Sequence, residues 1–220
     1  ADATATSDGR VIAITSLTPG DPSHGWINAW SLDGDRLDGF PISLERDSDS
    51  SPALVEFDGD GMAWLVFGDD AGYLHVINTA GDTRAGFPAR TTGPGPGPTP
   101  TPHPPGGNIY SIEASPAVAD MTGDGRYEIA VGAWDGQMYV WDDAGISLPG
   151  WPVRVPDQII SSAALVDLDG DDLLDVIVGS KDGHLYGWSV KGQPLDGFPF
   201  HLGAPVFSSP WVGDLDDNGR

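Results

Sequence analysis

Cysteine is absent from the 220 residues. That excludes a disulfide framework, a thiolate metal site and a cysteine nucleophile. Bases are scarce: ten Lys and Arg face 33 Asp and Glu, a formal net charge of −23. Phosphate binding needs a basic surface, so nucleic acid is excluded as a partner, and anionic membrane surfaces with it. No apolar run reaches the roughly 18 residues that crossing a bilayer requires, so membrane insertion is not expected. No charged-then-apolar leader begins at Ala1, so the chain reads as processed or as an interior piece of something longer. Helix formers are thin as well. Only four of the acids are Glu, against 29 Asp, and Asp is a residue of turns and metal loops. With 31 Gly and 20 Pro, the composition is that of a turn-rich, helix-poor chain. Hydrophobic residues still make up 39%, enough for the core of one large domain or two small ones.

What is present is a repeat. Three segments align from Ser50, Ala114 and Ser161. A fourth copy, from about Asp8, keeps the later part of the unit, and a fifth, SSPWVGDLDDNGR, keeps only its beginning. The offsets are constant. Pro52 to Gly72, Pro116 to Gly136 and Ala163 to Gly183 are each 20 residues. Gly25 to Phe40, Gly72 to Phe87, Gly136 to Trp151 and Gly183 to Phe198 are each 15.

Each unit reads as four short strands. ALVEF, AVADM and ALVDL alternate before an Asp-rich turn. WLVFG, EIAVG and DVIVG are near-continuous apolar runs, as in buried strands. A Gly turn leads to YLHVI, QMYVW and HLYGW, rich in aromatic and β-branched residues. A second turn holds Gly34, Gly81, Gly145 or Gly192, and the unit ends on GFP or GWP. Proline there suits an outer edge strand. Trp30, Trp141 and Trp188 share one position with Ile77, which marks them as core rather than as a sugar-stacking surface. Four strands about every 47 residues is the signature of a β-propeller blade, with a β-sandwich as the other architecture built from short strands. The expected fold is all-β: one propeller domain over 1–220, with blades at about 1–44 joined by 206–220, then 50–90, 114–154 and 161–201.

The Asp-rich turns carry a family resemblance. Asp167-Leu168-Asp169-Gly170-Asp171, then Asp175 and VIVG, resembles the FG-GAP or VCBS type of propeller repeat, that of the integrin alpha-subunit head and of many bacterial and archaeal surface proteins. The likeness covers nearly the whole chain, although only Phe67-Gly68 echoes the motif that gives the repeat its name. It implies a calcium ion in the turn between the inner and second strands of a blade, and a scaffold for adhesion or assembly more often than an enzyme.

Calcium takes six to eight oxygens, and a tight loop supplies them from alternate residues. The fourth blade offers Asp167, Asp169, Asp171, the carbonyl of Leu173, and Asp175. Asp172 stands where Gly is expected, and Asp tolerates a left-handed backbone. The third blade offers Asp120, Thr122, Asp124, the carbonyl of Arg126, and Glu128. The second offers Glu56, Asp58, Asp60 and the carbonyl of Met62, but Trp64 stands at its ninth position. The C-terminal loop offers Asp214, Asp216 and Asn218. The plainer alternative is a set of Asp-Gly turns with capping carboxylates and no metal. Against it, three carboxylates within about 4 Å of a point repel strongly at neutral pH.

Catalytic signals are weak. HExxH, GxSxG and a Gly-rich phosphate loop are all missing. His75 lies within a third strand and His184 opens another, as packed or edge residues, and Ser50-Ser51-Pro52 and its copies resemble strand-start turns rather than nucleophiles. Paired carboxylates abound, and nothing separates a glycosidase pair from the turn Asp. A polysaccharide-active, lyase-like enzyme is the alternative from that class.

Two insertions interrupt the period. Pro116 to Ala163 and Ala163 to Pro210 are 47 residues, whereas Pro52 to Pro116 is 64, the excess being the Pro/Thr/Gly-rich run 91–108. The N-terminal blade carries the other, at 17–24, read as a loop joining second to third strands. Alternation of connections places both on the face opposite the Asp-rich turns. That face is where a protein or glycan partner is expected, with a mere spacer, open to O-glycosylation, as the alternative for 91–108. Finally, 206–215 reads as an unpaired inner strand, while 1–7 is a poor one. Three outcomes are open: self-closure of a four-bladed ring, head-to-tail strand exchange into a filament, or a tandem array. The function expected is a non-enzymatic, calcium-binding scaffold outside the cell or on its surface.

Overall fold

The near-continuous apolar runs become central strands, buried on both faces. The computed structural model describes residues 11–18, 21–44, 46–92 and 109–213. In it, β1 (Val11–Thr18), β2 (Asp21–Ser31) and β3 (Ile42–Leu44) form one sheet. β4 (Ala53–Val55), β5 (Trp64–Gly68), β6 (Tyr73–Asn78) and β7 (Ala89–Arg90) form the next. β8 (Ala117–Ala119), β9 (Glu128–Gly132), β10 (Gln137–Asp142) and β11 (Val153–Arg154) follow. β12 (Ala164–Val166), β13 (Asp175–Gly179), β14 (His184–Trp188) and β15 (Phe200–His201) make the last. Every pairing is antiparallel between consecutive strands. β5, β9 and β13 are buried along their whole length, which is why their sequences do not alternate.

The core lies between the blades. The aromatic of the first three GFP or GWP motifs reaches the following blade: Phe40 packs with Leu65 and Ile77, Phe87 with Ile129 and Trp141, Trp151 with Val176 and Trp188. Trp151 Nε1 also donates to the Val190 carbonyl at 2.7 Å, so the indole is paired where it is buried. Trp141 and Trp188 are core, whereas Trp30 is half-buried. The outer strands start just after the motif's proline, on the sheet edge where a missing N–H costs no ladder bond.

The linkers between blades act as staples. Ile112 N–H donates back to Asp69 of the second blade at 3.0 Å, while Trp134 N–H of the third donates to Ser111 at 3.0 Å. Ile159 and Gln158 repeat the arrangement between Ala133 and Lys181, at 3.1 and 3.0 Å. The linker side chain then seats on a glycine: Ile112 against Gly68, Ile159 against Gly132. Both isoleucines are fully buried. The strand-start serines join in. Ser50 Oγ donates to the Ala114 carbonyl at 3.0 Å, and the Ser115 and Ser162 amides donate to Ser162 Oγ and Ser209 Oγ, each at 3.1 Å.

One expectation needs correction in the N-terminal blade. The blade shows three strands among the described residues, β1 and β2 taking the second and third positions. The inner strand anticipated over 1–7 lies outside the described residues. The 17–24 insertion is not a loop but a longer hairpin. β1 pairs with β2 from Val11↔Ser31 as far as Thr18↔Asp21, with a register shift after Leu17. The β-branched run VIAITSLT favours extending the ladder over leaving a loop. At the other end, 206–213 forms no strand among the described residues, so the closing pairing is not made there. Phe207 and Trp211 are 62% and 73% exposed. Most of the run 91–108, from residue 93 on, is outside the described residues.

Candidate metal centres

The Asp-rich turns join inner to second strands, and their backbone dictates where the carboxylates point. In the fourth blade Asp167 Oδ1 accepts from the amides of Gly170 and Asp171 at 2.7 and 3.2 Å, and Oδ2 from that of Asp172 at 3.0 Å. Such a loop requires a left-handed residue at its sixth position. Asp172 supplies it with φ +66°, where Gly61 and Gly125 stand in the second and third blades. Among the described residues it is the one non-glycine with positive φ.

Asp167, Asp169 and Asp175 each present a carboxylate oxygen within 4.8 Å of the others. Asp175 is 1% exposed and accepts from the Leu168 amide at 2.8 Å. Burial pushes its carboxyl above the usual range, outweighing that hydrogen bond, and the charges of Asp169 and Asp171 push the same way. Asp171 belongs to the loop but spends Oδ1 on the Leu173 amide at 2.9 Å.

The third blade repeats the pattern. Asp120 accepts from the amides of Gly123, Asp124 and Gly125 at 2.8, 3.1 and 2.8 Å. Asp124 accepts from that of Arg126 at 2.8 Å. Glu128, 3% exposed, accepts from the Met121 and Thr122 amides at 2.7 and 3.3 Å, and burial again raises its carboxyl above the usual range. Thr122 Oγ1 is buried without a hydrogen-bond partner. An orphaned oxygen at the third loop position, beside a desolvated carboxylate, is the donor set that a hard cation would complete. The residues present therefore fit calcium in the fourth blade; in the third, Thr122 and Glu128 offer oxygens, but among the described residues Asp120, Asp124 and Glu128 are not gathered within 4.8 Å as the fourth-blade acids are.

The second blade departs from this. Glu56 accepts from the Gly61 amide at 2.6 Å and Asp60 from that of Met62 at 2.8 Å. Asp58, counted as a ligand from the sequence, is instead gripped by Arg84 through Nη1 at 2.6 Å and Nη2 at 2.9 Å. The guanidinium holds the Asp58 carboxyl below its ordinary value. A side-chain cation thus stands where an ion was expected, and Trp64 packs against it, 5.2 Å from ring centroid to guanidinium. Arg84 also lies 4.6 Å from the Phe57 ring and donates through Nε to the Asp143 carbonyl of the third blade at 2.9 Å. Arg126 pairs with the same Asp143 side chain. Arg84→Met should lower stability by about 2 kcal/mol through the lost fork and interblade bond. Arg84→Lys should recover less than half, since an ammonium lacks the planar fork that grips Asp58 with two nitrogens while a third reaches Asp143. Equal midpoints for Lys and Arg in urea denaturation would contradict that role. Asp214, Asp216 and Asn218 lie outside the described residues.

The structure also brings together acids far apart in sequence. Asp49, Asp70 and Glu113 converge within 4.8 Å on the face of the second-to-third turns. Ser111 Oγ donates to Asp70 at 2.8 Å, and burial raises both Asp70 and Glu113. They occupy linker and turn positions with no repeat-wide pattern, so no sequence signal marks them.

No protein-family model matches the sequence, and no curated protein matches it. Solved structures do match in fold. BamB from Moraxella catarrhalis is 16% identical, with a TM-score of 0.55 over 89% of this chain and 47% of that one. BBS1N, crystallised in complex with ARL6DN, is 13% identical, with a TM-score of 0.53 over 88% of this chain and 57% of that one. The fold is of β-propeller type. This chain spans about half the length of those two.

Proposed function

We propose that this chain is a non-enzymatic, calcium-stabilised β-propeller scaffold, working outside the cell or on its surface and binding a protein or glycan partner. The observation that carries the reading is the fourth-blade loop. Three carboxylates converge, two of them, Asp167 and Asp175, aimed by backbone amides, and Asp175 is buried at a cost that a cation would offset. Calcium would be held by Asp167, Asp169, Asp175 and Oδ2 of Asp171, and in the third blade by Asp120, Thr122, Oδ2 of Asp124 and Glu128. It would supply fixed positive charge that locks inner to second strands. Calcium loops of this sort suit millimolar concentrations better than cytosolic ones. The stapled blades supply a rigid frame, and the long β1–β2 hairpin on the face opposite the loops is the surface placed to meet a partner. Titration calorimetry with CaCl2 tests the metal reading. Binding should be present in the parent chain and lost from the fourth-blade site in Asp167→Asn. An identical isotherm for the two would remove the site.

A second reading, assembly by strand exchange, is favoured by one feature. β1 has a free edge among the described residues, while 206–213 repeats an inner-strand sequence, forms no strand and exposes Trp211. Such an edge is a template for a strand from another copy. Deleting 211–220, which spares the Val206 amide bonded to Ser180 and the Ser209 hydroxyl bonded to Ser162, should leave a stable monomer and abolish concentration-dependent assembly. A deletion that instead lowers monomer stability at every dilution supports closure of the chain on itself.

A further inference from the structure

The outer edge of the fourth blade carries a polar cluster of another kind. The register of β14 and β15 sets His184 directly opposite His201. At the equivalent place the second blade has Tyr73 opposite Arg90, and the third Gln137 opposite Arg154. Both members of the pair have therefore changed to imidazole. His201 Nδ1 is hydrogen-bonded to His184 Nε2 at 3.2 Å, through a proton that a bound ion would replace. His184 Nδ1 lies 3.2 Å from Asp182 Oδ1. An ionised carboxylate only accepts, so Nδ1–H donates to it and Nε2 of the neutral ring keeps its lone pair on the side of His201. Asp182 is itself held. It accepts from the His184 amide at 2.9 Å and from the Tyr186 hydroxyl at 2.6 Å. The third blade has the same Tyr–Asp pair, Tyr139 donating to Asp135 at 2.6 Å, but with Gln137 in place of the imidazole.

We propose that His184 and His201 form a two-nitrogen site for a divalent transition-metal ion of the imidazole-binding class, zinc, nickel or copper. Asp182 acts as the positioning residue behind His184. Two nitrogens bound at about 2.0–2.1 Å in tetrahedral geometry stand about 3.3 Å apart, against the 3.2 Å here. A carboxylate on the far nitrogen of a ligating histidine fixes its ring and raises its basicity. His201 is exposed, so an ion arrives without opening the fold, and its remaining positions stay available to water or to a donor from a partner. Calcium, which takes oxygen ligands, does not compete for two imidazoles. The proposal is thus independent of the calcium reading.

Titration of the untagged 220-residue chain with NiCl2, in millimolar calcium so that the acidic loops are filled, tests it. One nickel site is expected. Its affinity should fall at least about tenfold in His201→Asn and in His184→Asn, and about tenfold in Asp182→Asn. His75→Asn, on another blade, should change nothing. Copper at one equivalent should give an electron paramagnetic resonance spectrum with two coupled nitrogens in the parent chain and one in His201→Asn. Equal nickel affinity in the parent and the His184/His201 double Asn variant overturns the proposal. A copper spectrum lacking two nitrogens overturns it as well, and that measurement on the parent chain decides the matter even if a variant folds poorly.

Discussion

Millimolar calcium should raise the thermal midpoint of this chain, and a chelator should lower it. Ligand at a hundred times its dissociation constant stabilises by about 2.7 kcal/mol per site, which for a domain of this size is roughly 5–10 °C. The pH dependence separates this from a general salt effect. Burial raises Asp175 and Glu128 above the ordinary carboxylate range. Without the ion, each binds its proton more tightly folded than unfolded. Their contribution to stability is therefore complete below the unfolded carboxylate value and is lost as pH rises through the raised one. The chelated chain should accordingly gain stability on acidification from neutrality into that window. The calcium-loaded chain should lose it, because protons compete with the ion for the same oxygens. Asp175→Asn should show the same reversal: neutral or stabilising in chelator, destabilising in calcium. Parallel pH curves with and without calcium would remove the ion from these loops.

Gly132→Ala should destabilise by about 3 kcal/mol, the upper end of overpacking. Gly132 has ordinary backbone angles, so the demand for glycine there is one of space: a methyl would occupy the position of the Ile159 side chain. Ile159→Ala removes the same contact from the other side and should cost about 3–4 kcal/mol by leaving a cavity. Together the two should cost at least 1 kcal/mol less than their sum, since the new methyl fills part of the space vacated. Strictly additive costs in chemical denaturation would mean that the linker does not seat on the strand as described.

The parts of this fold that were legible in the sequence are those written by local chemistry and repeated. WLVFG, EIAVG and DVIVG announced buried strands because a strand covered on both faces has no reason to alternate. Asp172 could be assigned a left-handed backbone from its place in the loop alone. Long-range partners were another matter. Nothing near Asp58 reveals that Arg84, two strands away, supplies its counter-charge. The 17–24 excess could be counted, but whether extra residues bulge as a loop or lengthen both arms of a hairpin depends on pairing across the turn. His184 reads from the sequence as a packed or edge residue, because only the register between β14 and β15 sets His201 opposite it.

The shared linkers give the molecule a mechanical character. Residues 111–112 and 158–159 each hold the blade before and the blade after with separate hydrogen bonds, so tension along the chain is resisted one interface at a time rather than by the domain as a whole. The 47-residue period corresponds to about 16 nm of extended chain, and the 64-residue one to about 22 nm. A scaffold of this kind yields in discrete lengths, with each released blade lending slack before the next is loaded.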